Sequence, residues 1–141
     1  MKIQKVTPFL WFDNQAEEAA KFYVSIFKNS SVLSVNPMVT HLVLEGQQIL
    51  ILNGGPIFKL SEAFSFSVMC ETQEEIDYYW NKLTEGGSES QCGWLKDKYG
   101  LSWQIVPSVL SDLLSDPTKS ERVIAAFMKM KKFDIAKLLQ A

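Results

Sequence analysis

The hexapeptide GQQILI at residues 46–51 recurs in altered form as GLSWQI at residues 100–105. In both segments a glycine is followed, three and five positions later, by large apolar residues, as on the buried face of a β-strand. A helix-like apolar pattern also recurs upstream of each segment. Its members are Ala19, Phe22, Tyr23 and Ile26 in the first copy and Ile76, Tyr79, Trp80 and Leu83 in the second. The sequence thus contains two copies of one unit, and this internal repeat determines the fold.

The first copy predicts one strand, one helix and then three more strands. Asn14 and Glu17 have the spacing of a capping box, and the helix that they start runs to about Lys28. The glycine-rich segment at residues 53–56 ends the copy. The strands are predicted at residues 5–12, 31–35, 39–44 and 48–52, with a hairpin turn at residues 45–46.

The second copy has the same order of elements. Thr72 and Glu75 form a second capping-box pattern, and the helix that follows ends at the glycine pair of residues 86–87. Its strands are predicted at residues 64–68, 94–98 and 102–106, with a turn at residues 99–100.

One domain of residues 1–141 is predicted, with an α+β fold. Repeat one spans about residues 1–56 and repeat two about residues 62–107. One βαβββ repeat cannot bury its own sheet, so the two copies are expected to form one curved mixed sheet with outer helices. The concave face is then free for a ligand.

The tail of residues 108–141 lies outside the repeat and predicts C-terminal helices. Asp116 is predicted to be an N-cap, with Pro117 at the first helical position. The apolar face beyond it comprises Val123, Ile124, Phe127, Met130, Ile135, Leu138 and Leu139. Such a face is too large to leave in water, so the tail covers its own domain or crosses to a second subunit.

Composition excludes several classes of protein. The 14 basic and 16 acidic residues give a net charge of −2, which argues against nucleic acid and anionic membranes as partners. No signal peptide and no membrane-spanning stretch is recognisable. The two cysteines, Cys70 and Cys92, do not make a disulfide scaffold, so a cytoplasmic location is expected.

The sequence resembles the PhnB-like, 3-demethylubiquinone-9 3-methyltransferase-like branch of the vicinal-oxygen-chelate superfamily (glyoxalase, bleomycin resistance and dihydroxybiphenyl dioxygenase). The segments that carry the resemblance are PFLWFD at 8–13, EEAA at 17–20, NGGP at 53–56, FSF at 64–66, QCGWLKDKYGLSWQIVP at 91–107 and MKKFDI at 130–135. The resemblance implies the glyoxalase/bleomycin-resistance fold and favours a homodimer, with the tail crossing to the second subunit.

Neither a methyltransferase cofactor site nor a metal site is predicted. The turns between strand and helix lack the glycine-rich pattern of a nucleotide site. In metal-dependent members of the superfamily, ligands lie on the first and last strands of each repeat. The resemblance places Gln104, Leu50, Thr7 or Phe9, and Ser65 or Ser67 at those positions. The sole histidine, His41, is expected to be structural or exposed.

Strand alternation instead predicts a polar, uncharged cavity wall for a small organic molecule. Phe64, Phe66 and Val68 are expected under the helices. The candidate ligand-binding residues are Thr7, Phe9, Asn53, Ser65, Ser67, Cys92, Trp94, Ser102 and Gln104. Cys92 is the candidate reactive thiol if Lys96 and Lys98 point towards it, and otherwise an inert packed thiol. A metal-free binding protein, an enzyme of unknown reaction and a dimeric scaffold remain open as functions, and no cofactor is predicted.

Overall fold

The computed structural model describes residues 3–141, which divide into two compact units. The first unit extends to Leu60, and the second runs from Ser61 to Ala141. Each unit contains one copy of the repeat, and the tail belongs to the second unit. The boundary between the units falls between the two repeats.

The first unit has the predicted order of elements. Its sheet has the strand order β1-β4-β3-β2, with β1 parallel to β4 and the other pairs antiparallel. The prediction of a first strand at residues 5–12 is too long, because Thr7 is held with Gln4 in a turn that precedes the strand. The elements are β1 (Phe9–Phe12), α1 (Ala16–Ile26), β2 (Ser31–Val35), β3 (Val39–Leu44) and β4 (Gln47–Asn53).

The start of α1 corrects the prediction of a capping box at Asn14 and Glu17. Gln15 occupies the cap position and makes no side-chain cap hydrogen bond. The backbone N–H of Ala16 instead donates to Oδ1 of Asn53 at 2.8 Å. The cap therefore comes from the end of β4, a residue distant in sequence. The helix ends at Ile26 and not near Lys28, because Phe27 is already extended.

The second unit repeats the arrangement of the first, with strand order β5-β8-β7-β6 and β5 parallel to β8. The cap of α2 is confirmed, because Thr72 Oγ1 accepts from the backbone N–H of Glu75 at 3.1 Å. Phe64 lies before the strand and is exposed, which corrects its placement under the helices. The elements are β5 (Ser65–Cys70), α2 (Gln73–Thr84), β6 (Ser88–Glu89), β7 (Trp94–Lys96) and β8 (Ser102–Pro107).

Three short helices form the tail: α3 (Val109–Ser115), α4 (Ser120–Phe127) and α5 (Ile135–Gln140). The predicted helix start at Asp116-Pro117 is wrong. Asp116 accepts hydrogen bonds from Thr118 in a turn, and α4 begins only after it. The segment of α3 lies within the tail of residues 108–141 for which helices were predicted, although no bounds were predicted for it.

The tail packs on its own unit. The backbone N–H groups of Cys92 and Gly93 donate to the carbonyls of Met130 and Lys131, both at 2.8 Å. The ring of Phe133 is 2% exposed and lies so close to Gly93 that any side chain there would collide with it. Within this chain the tail therefore covers part of its own unit, and its crossing to a second subunit stays a prediction.

Candidate functional site

The second sheet has one apolar face and one open face. The apolar face packs under α2, where Trp103 is 2% exposed and Ile105 is fully buried. On the open face the register pairs Ser65 with Ser102 and Ser67 with Gln104. The antiparallel pair of β7 and β8 adds Trp94 beside Gln104. Side chains at paired positions point to the same side of a sheet, so the predicted alternation is confirmed for these residues.

A pocket of about 820 Å³ lies elsewhere in the unit, between α2 and the tail, but the pocket at the open face contains predicted site residues. This second pocket has a volume of about 570 Å³. It is formed by the edge of the sheet and by the loop between β6 and β7. Its lining residues are Glu62, Ser88, Glu89, Ser90, Gln91, Cys92, Trp94, Leu95, Lys96 and Ser102. The structure therefore brings together three predicted residues, Cys92, Trp94 and Ser102.

Ser102 is the unusual member of this lining. The residue is 1% exposed, and its hydroxyl has no hydrogen-bond partner among the described residues. Its neighbour across the strand, Ser65, accepts a hydrogen bond from Nε2 of Gln104 at 3.0 Å. A buried hydroxyl without a partner costs about 1–3 kcal/mol. Such a group in a pocket wall calls for an explanation, and a bound molecule supplies one.

Lys96 and Glu62 form an ion pair at the same pocket. The two side chains are 40% and 63% exposed. The hydrogen bond from Lys96 lowers the pKa of the Glu62 carboxyl below its ordinary value. The other carboxylate of the lining, Glu89, accepts a hydrogen bond from the Trp80 indole of α2 and so faces away from the open face. Sequence reasoning missed Glu62, because its contact depends on the turn before β5.

Cys92 lies at the edge of the pocket with its backbone in the left-handed region, at φ 57°. Its Sγ is 3.7 Å from Sδ of Met128 in the tail. The two lysines expected to assist the thiol make other contacts. Lys96 binds Glu62, and the Lys98 ammonium lies 5.5 Å from the centre of the Tyr99 ring. The structure thus supports the packed-thiol alternative more than the activated one.

The predicted residues of the first unit make contacts within that unit. Thr7 hydrogen-bonds within the turn with Gln4. Asn53 caps α1 and donates to the carbonyl of Pro37, so its amide already has structural partners. Phe9 is 53% exposed and pairs with Leu50. His41 shares a hydrogen bond of 3.0 Å with Gln48, as expected for a structural histidine.

The residues at the superfamily's metal positions do not fit a transition metal. The register sets Phe9 beside Leu50 in the first unit and Ser67 beside Gln104 in the second. Phenylalanine and leucine have no donor atom, and serine and glutamine are poor ligands beside imidazole, carboxylate and thiolate. Within residues 3–141, no three His, Cys, Asp or Glu side chains form a group that could hold a metal ion.

Two βαβββ units with this strand order define a protein of the glyoxalase/bleomycin-resistance fold. The family model described as 3-demethylubiquinone-9 3-methyltransferase matches residues 4–106, and the chain belongs to this family. No curated protein matches the chain. In the described part of the chain, no helix is long and apolar enough to cross a membrane.

Solved structures agree with this assignment. A Bacillus cereus protein described as a 3-demethylubiquinone-9 3-methyltransferase, PhnB protein, is 33% identical, with a TM-score of 0.70 over 74% of this chain and 100% of its own. A Pseudomonas aeruginosa protein is 19% identical, with a TM-score of 0.61 over 74% and 98%. A fosfomycin resistance protein of Listeria monocytogenes, in complex with Mn(II) and sulfate, is 15% identical, with a TM-score of 0.60 over 82% and 98%. The last two similarities show the fold alone.

Proposed function

We propose that this protein binds a small organic molecule, without a metal, in the pocket at the open face of its second sheet. The observation that carries the proposal is the buried hydroxyl of Ser102 in the pocket wall, which finds no partner anywhere in residues 3–141. A volume of about 570 Å³ is within the usual range for small-molecule sites. Trp94 adds an aromatic surface, and Gln91 and Ser88 add polar groups.

Protein-observed NMR with a library of small organic fragments tests this function. The expected result is a set of fragments that shift the backbone signals of residues 88–96 and of Ser102. The Ser102→Ala variant should weaken those fragments by roughly fivefold, as expected for one lost hydrogen bond of about 1 kcal/mol. Ser31→Ala, on the exposed edge of the first sheet, is the matched control. Fragments that bind only elsewhere, or none that bind at all, would contradict the proposal.

An enzyme that acts in the same pocket is the second candidate. The half-buried Cys92 thiol at the pocket edge is the observation that favours it. A Cys92→Ser variant that keeps fragment binding but loses turnover of a bound compound would support catalysis. Unchanged turnover would remove the thiol from the reaction.

We further propose that the protein is a cytoplasmic homodimer. The exposed apolar side chains Met38, Ile57 and Phe58 of the first unit, 64%, 76% and 62% exposed, support a surface that a second copy covers. Two free cysteines suit a reducing compartment. Light scattering of the purified protein tests the dimer. A monomeric mass at about 100 μM would contradict it, since a stable dimer of micromolar affinity would be formed there.

A further inference from the structure

The pocket at the second sheet has an asymmetric charge arrangement. Lys96 is the single cation among the described residues that line it, and it sits on a strand, so its backbone is fixed by the sheet. Its partner Glu62 lies on the turn before β5, and the Glu62 side chain is 63% exposed. An exposed ion pair of this kind is weak and is readily exchanged for another. The carboxylate is therefore the replaceable member of the pair.

The register brings the cation next to the unpartnered hydroxyl. Lys96 pairs directly with Ser102 in the antiparallel ladder, and both side chains are on the open face. Directly paired residues have their Cβ atoms about 4.5–5.5 Å apart. One small anionic group can therefore accept from both the ammonium and the hydroxyl. In the free protein, Glu62 accepts from the Lys96 ammonium but not from the Ser102 hydroxyl. That hydroxyl has no partner among the described residues.

Trp94 extends the same face by one aromatic ring. It precedes Lys96 by two residues on β7 and so points to the same side of the sheet. Its half-buried indole offers a flat apolar surface beside the charged group. The arrangement of indole, ammonium and hydroxyl matches a flat ring that carries a carboxylate.

We infer that the ligand class of this pocket is a small aromatic carboxylate, and that Glu62 occupies the place of the ligand's carboxylate at Lys96 until the ligand displaces it. The inference rests on the proposed function and specifies its ligand. A ligand carboxylate keeps the charge pair of Lys96 and gives Ser102 its missing partner, so the exchange gains a charge-assisted hydrogen bond. A neutral ligand of the same shape leaves the ion pair in place and competes with Glu62 for space.

Titrations with benzoate and benzamide, followed by NMR, test the ligand class. Benzoate should shift the signals of residues 94–96 and Ser102 with a dissociation constant at least tenfold lower than that of benzamide. Equal binding of the two probes in the pocket would overturn the inference but leave the proposed function intact. Absence of benzoate shifts up to about 10 mM would also overturn the inference, since even weak fragments bind in the millimolar range. The NMR screen with the fragment library would still test the proposed function.

Two variants test the displacement step. Glu62→Gln removes the competing carboxylate and should strengthen benzoate binding by about threefold, with little effect on benzamide. Lys96→Gln should abolish the preference for benzoate. Glu121→Gln, an exposed change on α4, controls for net charge. Weaker benzoate binding in Glu62→Gln, or a preference that survives in Lys96→Gln, would show that Glu62 does not stand in for the ligand.

Discussion

Ser102 is a residue at which the stability of the free protein and the function of the pocket conflict. Its hydroxyl is buried without a partner in the described part of the chain, although an alanine would fill almost the same space. Unsatisfied buried polar groups are destabilising, and their removal is often neutral or favourable. In the unliganded protein, Ser102→Ala should therefore leave the free energy of unfolding unchanged or raise it by about 1 kcal/mol, measured by urea denaturation. A decrease by that amount would show that the hydroxyl has a partner.

Cys70 makes a pH-dependent contribution to stability. Burial raises the pKa of its thiol from 9.0 to about 12, with a smaller effect from Glu75. Because the folded-state pKa is raised, this stability is fully present below the unfolded pKa near 9 and is lost as pH rises towards 12. Between about pH 8 and about pH 10 the free energy of unfolding should fall by about 1 kcal/mol more in the wild type than in Cys70→Ala. Urea denaturation at both pH values measures this. Parallel losses in the two proteins would assign the effect to other groups.

The hairpin of β7 and β8 depends on a single buried carboxylate. Asp97 is 3% exposed and accepts from the backbone N–H groups of Tyr99 and Leu101, at 2.8 and 3.1 Å, and from the Trp103 indole at 2.9 Å. Asp97→Ala should lower the free energy of unfolding by roughly 2–4 kcal/mol, because two buried donors and one part-buried donor lose their acceptor. Thermal unfolding checks this against Asp112→Ala on α3, which should change little. A loss below about 0.5 kcal/mol would mean that water replaces the carboxylate.

At the scale of elements, the sequence predicts what local patterns control. Residues 39–44 are a strand as predicted, and the Thr72 cap forms, because alternation and capping involve neighbouring residues. Predictions failed where the deciding contact is remote in sequence. Asn53 caps α1 in place of Asn14. The two-residue strand β6 carries too little pattern to be recognised, and it exists through its pairing with β7.

The same distinction explains the candidate site at the scale of the whole chain. Ser102 was predicted because alternation along the last strand assigns its face. Glu62 was not predicted, because a turn residue belongs to no periodic pattern and because its ion-pair partner, Lys96, is distant in sequence. Asn53 was a candidate for the cavity, whereas its side chain accepts the hydrogen bond that caps α1. Ser65, Ser67 and Gln104 share the face of Ser102 but do not line the pocket, so alternation predicts the face of a sheet and not the position of a pocket on it.

The tail packs within the second unit, and this packing determines how a substitution in the tail affects stability and mass. Phe133 is buried against Gly93, and its ring lies 5.9 Å from that of Phe127, all within the second unit. Phe133→Ala should therefore lower the free energy of unfolding by roughly 3–5 kcal/mol, as for other buried phenylalanines, yet leave the mass of the folded protein unchanged by light scattering. Leu139→Ala on α5 is the control, because its side chain is 58% exposed and its loss should be small. If a dimer of the wild type became a folded monomer in Phe133→Ala, the tail would have to join two subunits. Unchanged mass with a large loss of stability would show that Phe133 stabilises its own unit and makes no contact with a second copy.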